Sequence, residues 1–433
     1  MPTNDPTTAF HDLYLDAIKQ LTSRERIFAI AAVLQLKADG VADADKHSEA
    51  IQRAFAEAVA DPDNIPGSIT IMVGDPRIDA MNAHFSIDDA ALSAAVASIT
   101  GDAEKVADEL MEQLRKNHLK DVLERPEERL LHFENDRRAF TRRLALAWKK
   151  PLELLDLHIA LVLELGGAWS KKVRSGKQRK DAELVEVVTR LHARSLQVAG
   201  EVRALLREGF ADGALSRWRT IHELAVVALF VAQEGNEMAH RYLDHLSVDS
   251  YKAALGYDRA APLLNYKGVP SKDMAALVKK VDALKTRYGK VFAEDYGWAA
   301  SGLKGKSPNF ASVEEAVHLE HFRPYFRLAS NTVHAGPKGA YFRLGTYDTD
   351  ILLAGASNVG LQEAARLTAL SLAQITSCLL SLRPNLDSGV WTGVLLDLSN
   401  KVEEEAVRVM RRIEREERQL RKGQAVRPKR SRL

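Results

Sequence analysis

The sequence predicts a mainly α-helical protein, a multi-helical bundle, on the strength of two observations. Apolar residues recur at spacings of three and four through most of the 433 residues, which is typical of amphipathic helices. Apolar residues make up 46% of the chain and charged residues 28%, a composition with which a globular protein buries a core. We expect two departures from helix, a short strand near 69–73 and a short β-hairpin near 341–354.

Residues 1–170 are predicted to form a helical N-terminal domain of unknown role. An amphipathic stripe covers residues 10–37, where Ser23 has the position and chemistry of a helix N-cap. The β-branched run Ile69–Val73 is bounded by glycines and predicts one strand. The other helices of this domain are expected at 42–60, 87–117, 119–149 and 152–169.

A second domain is expected at 181–385, after a basic, glycine-containing linker at 170–180. Tyr341–Thr346 and Ile351–Ala354 flank a polar turn and predict the hairpin. A C-terminal helix and basic tail make up residues 386–433. The predicted helices of these two parts are 181–208, 214–235, 237–257, 270–290, 312–333, 358–382 and 390–421.

Cysteine usage and hydropathy indicate a cytoplasmic protein. The single cysteine, Cys378, lies in an apolar run and is expected to be a small buried side chain. One cysteine allows no intrachain disulfide, which suits a reducing compartment. The first residues have no secretory signal pattern. The longest apolar runs are about half the roughly 20 residues of a membrane span, so we expect no membrane partner.

Charge is spread unevenly along the chain. Residues 1–100 hold 7 Lys/Arg against 15 Asp/Glu, and residues 401–433 hold 12 against 6. The acidic region is a candidate surface for a protein partner. The tail residues Arg427, Lys429, Arg430 and Arg432 are candidates for nucleic-acid binding through phosphates. Both regions could equally be solvated faces, the basic helix being laced with glutamates that form i,i+4 pairs.

Common catalytic and cofactor motifs are absent from the sequence. His222-Glu223 opens like a zinc-protease motif, but the position that requires histidine is Val226. No phosphate-binding loop, dinucleotide fingerprint or serine nucleophile elbow occurs. We therefore expect no metal and no cofactor.

The segment 322–334, FRPYFRLASNTVH, holds the most informative pattern. Arg327 and His334 are seven residues apart, close to two helical turns, so they project from one face with Ser330 between them. A helix C-terminus near His334 favours its protonated form. Such a histidine can transfer a proton while an arginine holds a phosphate. Arg327, His334 and Ser330 are therefore candidate catalytic residues.

A second cluster is predicted on the helix 214–235. Arg219 and Glu223 are i,i+4 neighbours able to pair, and His222 lies beside them. These three residues are candidates for supporting His334 from a facing helix. The alternative is that the pair is structural.

The spacing of Arg327 and His334 resembles the R-x4-6-H motif of the HEPN superfamily. These are helical nucleotide-binding proteins, and many are metal-independent ribonucleases in toxin–antitoxin and antiviral systems. More closely, residues from about 200 to 383 resemble the bacterial domain of unknown function 5677, through the helix 217–232, the HRYLDH helix and the segment YFRLASNTVHAGP. The resemblance implies an RNA partner and a site completed by a second copy in a homodimer. In the nuclease branch a polar residue commonly follows the motif arginine, whereas here Leu328 does.

Two functions follow from these observations. The first is an RNA-binding, HEPN-like protein that acts as a metal-independent endoribonuclease in bacterial defence or as a toxin. The second is a non-catalytic helical protein that binds a nucleotide, RNA or a protein partner. In this second reading, His334 and Ser330 cap a helix end and hold the segment that follows it.

Overall fold

The computed structural model describes residue 19 and residues 22–58, 89–124, 126–174, 180–346 and 352–425. All the regular structure within these residues is helical. The α-helices are α1 Arg24–Ala38, α2 Ser48–Ala58, α3 Asp89–Glu124, α4 Pro126–Ala147, α5 Lys149–Arg174, α6 Ala182–Arg207, α7 Ala211–Glu234, α8 Asn236–Ala260, α9 Ser271–Tyr288, α10 Phe310–Ala316, α11 Arg323–Val333, α12 Pro337–Tyr341, α13 Leu361–Ser381 and α14 Leu386–Ala425. Short 3₁₀ helices lie at Ala44–His47, Ala261–Leu264, Lys290–Ala293, Gly297–Gly302 and Glu320–Phe322.

The chain forms two compact units, residues 1–133 and 134–433. In the first unit α1 packs against α2 and α3. Ser23 caps α1 as predicted, since its hydroxyl accepts a hydrogen bond from the Arg26 N–H at 3.4 Å. Val33, Leu36 and Ile51 form a small buried core, and the rings of Phe28 and Phe55 stack at 3.9 Å.

The second unit is built around α13, which packs against α5, α6, α7 and α14. Almost every apolar residue of α13 is buried, because it is covered on several sides. Trp218 of α7 is fully buried, and its indole N–H donates to the Ser371 hydroxyl of α13 at 3.0 Å. At the end of α7, Gly235 has a φ of +84°, a left-handed conformation that glycine adopts without strain, and α8 follows at once.

Most predicted helices are confirmed. The predicted continuous helix 312–333 is wrong, because α10 and α11 are separate. His318 between them has a φ of +59°, which no α-helix accommodates. The 3₁₀ helix that follows buries Phe322 before α11 begins.

The predicted hairpin near 341–354 is wrong. Residues up to Tyr341 form α12, and the described residues of the segment pair with no strand. The N–H of Leu344 instead donates to the Asp212 carboxylate at 3.2 Å, and the N–H of Ser357 donates to the Gly209 carbonyl at 2.9 Å. Residues at and just before the start of α7 thus accept hydrogen bonds from backbone N–H groups that a partner strand would otherwise bind. The predicted strand 69–73 lies outside the described residues.

Cys378 is buried as predicted, and burial raises the pKa of its thiol to about 12. Among the described helices, none combines the length and apolarity needed to cross a bilayer. The predicted domains 1–170, 181–385 and 386–433 stay a prediction. Their boundaries differ from those of the two compact units.

Candidate functional site

The helix α11 carries the predicted catalytic residues and is held by one buried face. Pro324 lies in its first turn, where its fixed φ suits a helix start. Phe326 and Ala329 are buried on the face toward α7. Near the end of α11, the Thr332 hydroxyl lies 2.5 Å from the Ser216 hydroxyl of α7. One face of α11 is thus anchored to α7.

Arg327 and His334 are both exposed to solvent. Seven residues of helix separate them by about 10 Å along the axis, and His334 is the C-cap of α11 with extended backbone. Neither side chain has a hydrogen-bond or ion-pair partner among the described residues. Both are therefore open to a ligand, yet within one chain they do not contact each other.

Ser330 lies on the same face but its hydroxyl is already engaged. It donates to the Phe326 carbonyl at 2.8 Å, a back-bond common for serine within helices. Leu328, the residue after the motif arginine, is half-buried and packs against the hydrophobic core. Its apolar side chain thus has a structural role at this position.

The junction of α11 and α12 fixes the backbone at His334. Gly339 of α12 is buried against the end of α11, and a Cβ there would overlap the carbonyl oxygen of Asn331. Only glycine permits this approach. The close contact holds the two helices together around the His334 backbone.

A buried charged network lies beneath the first turn of α11. His222 of α7 and Glu314 of α10 are fully buried, with His222 Nε2 2.7 Å from Glu314 Oε1. The second oxygen of Glu314 forms an ion pair with Arg323, the first residue of α11. Since an ionised carboxylate only accepts hydrogen bonds, Nε2 of His222 donates. His222 therefore joins α7 to α10 and, through Glu314, to α11, instead of reaching toward His334.

A half-exposed polar cluster borders this network. The predicted pair of Arg219 and Glu223 forms at 3.1 Å, and the Arg219 guanidinium lies over the Phe326 ring at 4.5 Å. Burial raises the pKa of Glu223, an effect that Arg219 opposes. Burial, together with the Glu223 charge, raises the pKa of Tyr296 to about 12. The cluster thus offers a neutral hydroxyl and a carboxyl group that holds its proton more strongly than usual.

Three members of this region, Glu314, Arg323 and Tyr296, were not predicted as site residues. Glu314 and His222 are 92 positions apart along the chain, and no local pattern joins them. Arg323 offered one signal, because a basic residue at a helix start opposes the helix dipole unless an acid compensates it.

Arg427, Lys429, Arg430 and Arg432 lie outside the described residues. On the preceding part of α14, arginines pair with glutamates of the same helix, as in Arg408–Glu405 at 2.6 Å and Arg418–Glu414 at 3.4 Å. Within the described part of the chain, no group of three or more His, Cys, Asp or Glu side chains could hold a metal ion.

One segment of the chain matches a known protein family, and it contains the residues of the candidate site. Residues 185–351 match a family of unknown function, DUF5677. Searches of curated proteins and of solved structures found no significant match. The resemblance to this family is therefore confirmed for a segment that contains Arg327, His334 and the His222–Glu314–Arg323 network. The wider resemblance to the HEPN superfamily stays a prediction.

Proposed function

We propose that this chain binds RNA through the exposed face of α11 and cleaves it without a metal ion. The observation that carries the proposal is that Arg327 on α11 and His334 at its C-cap are solvent-exposed and without partners among the described residues, while the opposite face of α11 is anchored. A cleavage site needs accessible charged groups on a rigid support, and α11 has both features.

The reaction would be a transphosphorylation within the RNA strand. The 2′-hydroxyl attacks the adjacent phosphorus and loses its proton to a base, forming a 2′-oxygen–phosphorus bond. The bond from phosphorus to the 5′-oxygen breaks, and the imidazolium of His334 protonates the leaving oxygen. Arg327 binds the phosphate and stabilises its developing charge. The products are a 2′,3′-cyclic phosphate and a 5′-hydroxyl.

A second copy of the chain would complete the site. Arg327 and His334 of one chain lie about 10 Å apart along the helix axis, which is far for two groups acting on one phosphate. Two copies that pair through this face would bring the arginine of one close to the histidine of the other. The proposed partner in solution is therefore a second copy of the chain, which makes the active form a homodimer.

Cleavage of RNA in the presence of EDTA tests the proposal. We expect wild-type protein to yield 2′,3′-cyclic phosphate ends, and His334→Ala or Arg327→Ala to lose activity by about 10²-fold or more, the usual contribution of such groups. Both side chains are exposed, so the fold should survive, as circular dichroism would verify. His321→Ala, at another exposed histidine, is the matched control and should retain activity. Unchanged cleavage by His334→Ala would refute the proposal.

A second candidate function is RNA binding without cleavage. Two observations favour it: Leu328 packs against the core, and the Ser330 hydroxyl is engaged by the Phe326 carbonyl. Few side chains on the exposed face of α11 are then left to take part in catalysis. In this case RNA binding falls in Arg327→Ala while wild-type protein leaves the RNA intact, which a gel-shift assay run beside the cleavage assay distinguishes.

A further inference from the structure

The second unit contains a cavity that the proposed function does not use. It has a volume of about 430 Å³, within the range of small-molecule sites. It lies where the last turns of α5 and α13 meet the first turns of α6 and α14. We call it the α5–α14 cavity.

Two tryptophans form aromatic walls of this cavity. Trp169 of α5 is 7% exposed, and Trp391 of α14 is 38% exposed. Leu165, Val185 and Leu380 supply further apolar lining. The indole face of Trp391 is accessible and stacks well with a planar ring, so this wall favours an aromatic ligand.

The polar lining of the cavity includes the donors Lys172, Trp169 and Arg383 beside the carboxylates of Asp181 and Asp387. Arg383 binds Asp181 through two hydrogen bonds, of 2.8 and 3.0 Å, which neutralise that carboxylate and hold the guanidinium in place. The Nε1–H of Trp169 is buried without a hydrogen-bond partner among the described residues. Such a donor is destabilising while it is unsatisfied, and a ligand acceptor that reached it would remove the penalty.

Helix geometry adds positive potential at the same place. The first residues of α6 and α14 line the cavity, among them Ala182 and Ser388. Helix N-termini carry partial positive charge and favour anions. Lys172 also lines the cavity. Asp387, exposed on the first turn of α14, is the opposing charge.

We propose that the α5–α14 cavity binds a small molecule with a planar aromatic ring and an anionic group, a carboxylate or a phosphate. The ring lies against Trp391. The anionic group lies toward Trp169 Nε1 and Arg383 and accepts from the indole N–H.

This site is separate from the proposed RNA site. Ser216 of α7 contacts the end of α11 near His334, whereas Asn236, just beyond the other end of α7, accepts from the N–H of Leu184 in α6. The intervening helix is roughly 30 Å long. The proposal therefore stands or falls independently of RNA cleavage.

Two probes that share a ring and differ in charge test the proposal. The full chain is titrated with 2-naphthoate and with 2-naphthylmethylammonium, and binding is followed by saturation-transfer NMR. We expect saturable binding of the anion and much weaker binding of the cation. Equal binding of the two probes, or no saturable binding of naphthoate at millimolar concentration, overturns the proposal.

Substitutions then locate the bound anion. Trp391→Ala should weaken naphthoate binding at least about fivefold, because a stacking partner is lost. Trp169→Phe keeps a ring but removes the N–H and should weaken binding about tenfold. Leu386→Ala, at a neighbouring residue that is 85% exposed and does not line the cavity, is the matched control and should bind as wild type. Unchanged affinity in Trp391→Ala contradicts the assignment.

Discussion

At the residue scale, Glu314 is the centre of the charged network under α11. Its carboxylate is fully buried and has two partners on different helices, His222 of α7 and Arg323 of α11. Burying a carboxylate is costly unless it is paired and hydrogen-bonded. Both partners therefore depend on this one carboxylate for their pairing, and Glu314 is the residue of the network whose loss should destabilise the fold most.

Glu314→Ala should lower the free energy of unfolding by about 3–5 kcal/mol, because it leaves Arg323 and His222 without their counter-group in a buried position. Urea unfolding measures the change. Glu315→Ala is the matched control, since Glu315 is exposed and pairs with Lys306 at the surface, where an ion pair contributes at most about 1 kcal/mol. Equal losses in the two variants would show that the buried network does not stabilise the fold.

At the element scale, the junction of α11 and α12 positions the candidate catalytic histidine. α11 ends at Val333, His334 is extended, and α12 begins at Pro337. The two helices approach closely only because Gly339 has no side chain. The position of His334 is thus set by the packing of one short helix on another.

Gly339→Ala should lower the free energy of unfolding by about 1–3 kcal/mol, the usual cost of overpacking, because the new methyl group would overlap the Asn331 carbonyl. A Cβ at Gly355 would meet no atom within 4 Å, so Gly355→Ala is the control and should change stability little. Thermal unfolding followed by circular dichroism measures both. If Gly339→Ala is as stable as the control, the helix junction is looser than described.

At the scale of the whole molecule, buried histidines make the stability of the second unit depend on pH. His158 of α5 and His192 of α6 are buried in the second unit. Burial lowers the pKa of each to about 4. An unfolded chain has histidines near their ordinary pKa of about 6.5. As the pH falls from about 6.5 toward 4, the unfolded state therefore takes up protons that the folded state refuses, and stability is lost.

The second unit should thus lose about 2 kcal/mol per buried histidine between pH 7 and pH 5. His158→Gln should reduce that loss by one histidine's share, since glutamine does not titrate. Urea unfolding of both proteins at the two pH values measures the difference. Glu223 has the opposite sign, because its raised pKa favours the folded state at low pH, but it contributes equally to both proteins. The same pH dependence in the variant and the wild type would contradict the role of His158.

Prediction from sequence succeeded where the cause is local. The N-cap at Ser23 and the pairing of Arg219 with Glu223 each depend on residues within four positions of one another. Prediction failed for the hairpin, because Tyr341–Thr346 and Ile351–Ala354 on either side of a polar turn indicated strands. Leu344 and, just after the segment, Ser357 donate instead to Asp212 and Gly209, more than a hundred residues earlier.

The sequence by itself determined that the described part of the chain is helical and where most of its helices begin and end, and it predicted a shared face for Arg327 and His334. Periodicity and capping suffice for this, since both act within a few turns of helix. Only the tertiary structure decided that His222 is buried against Glu314 and that Trp169 and Arg383 line one cavity. These pairs are joined by packing between helices distant in sequence, and burial there decides which charges must be paired and which side chains stay open to solvent.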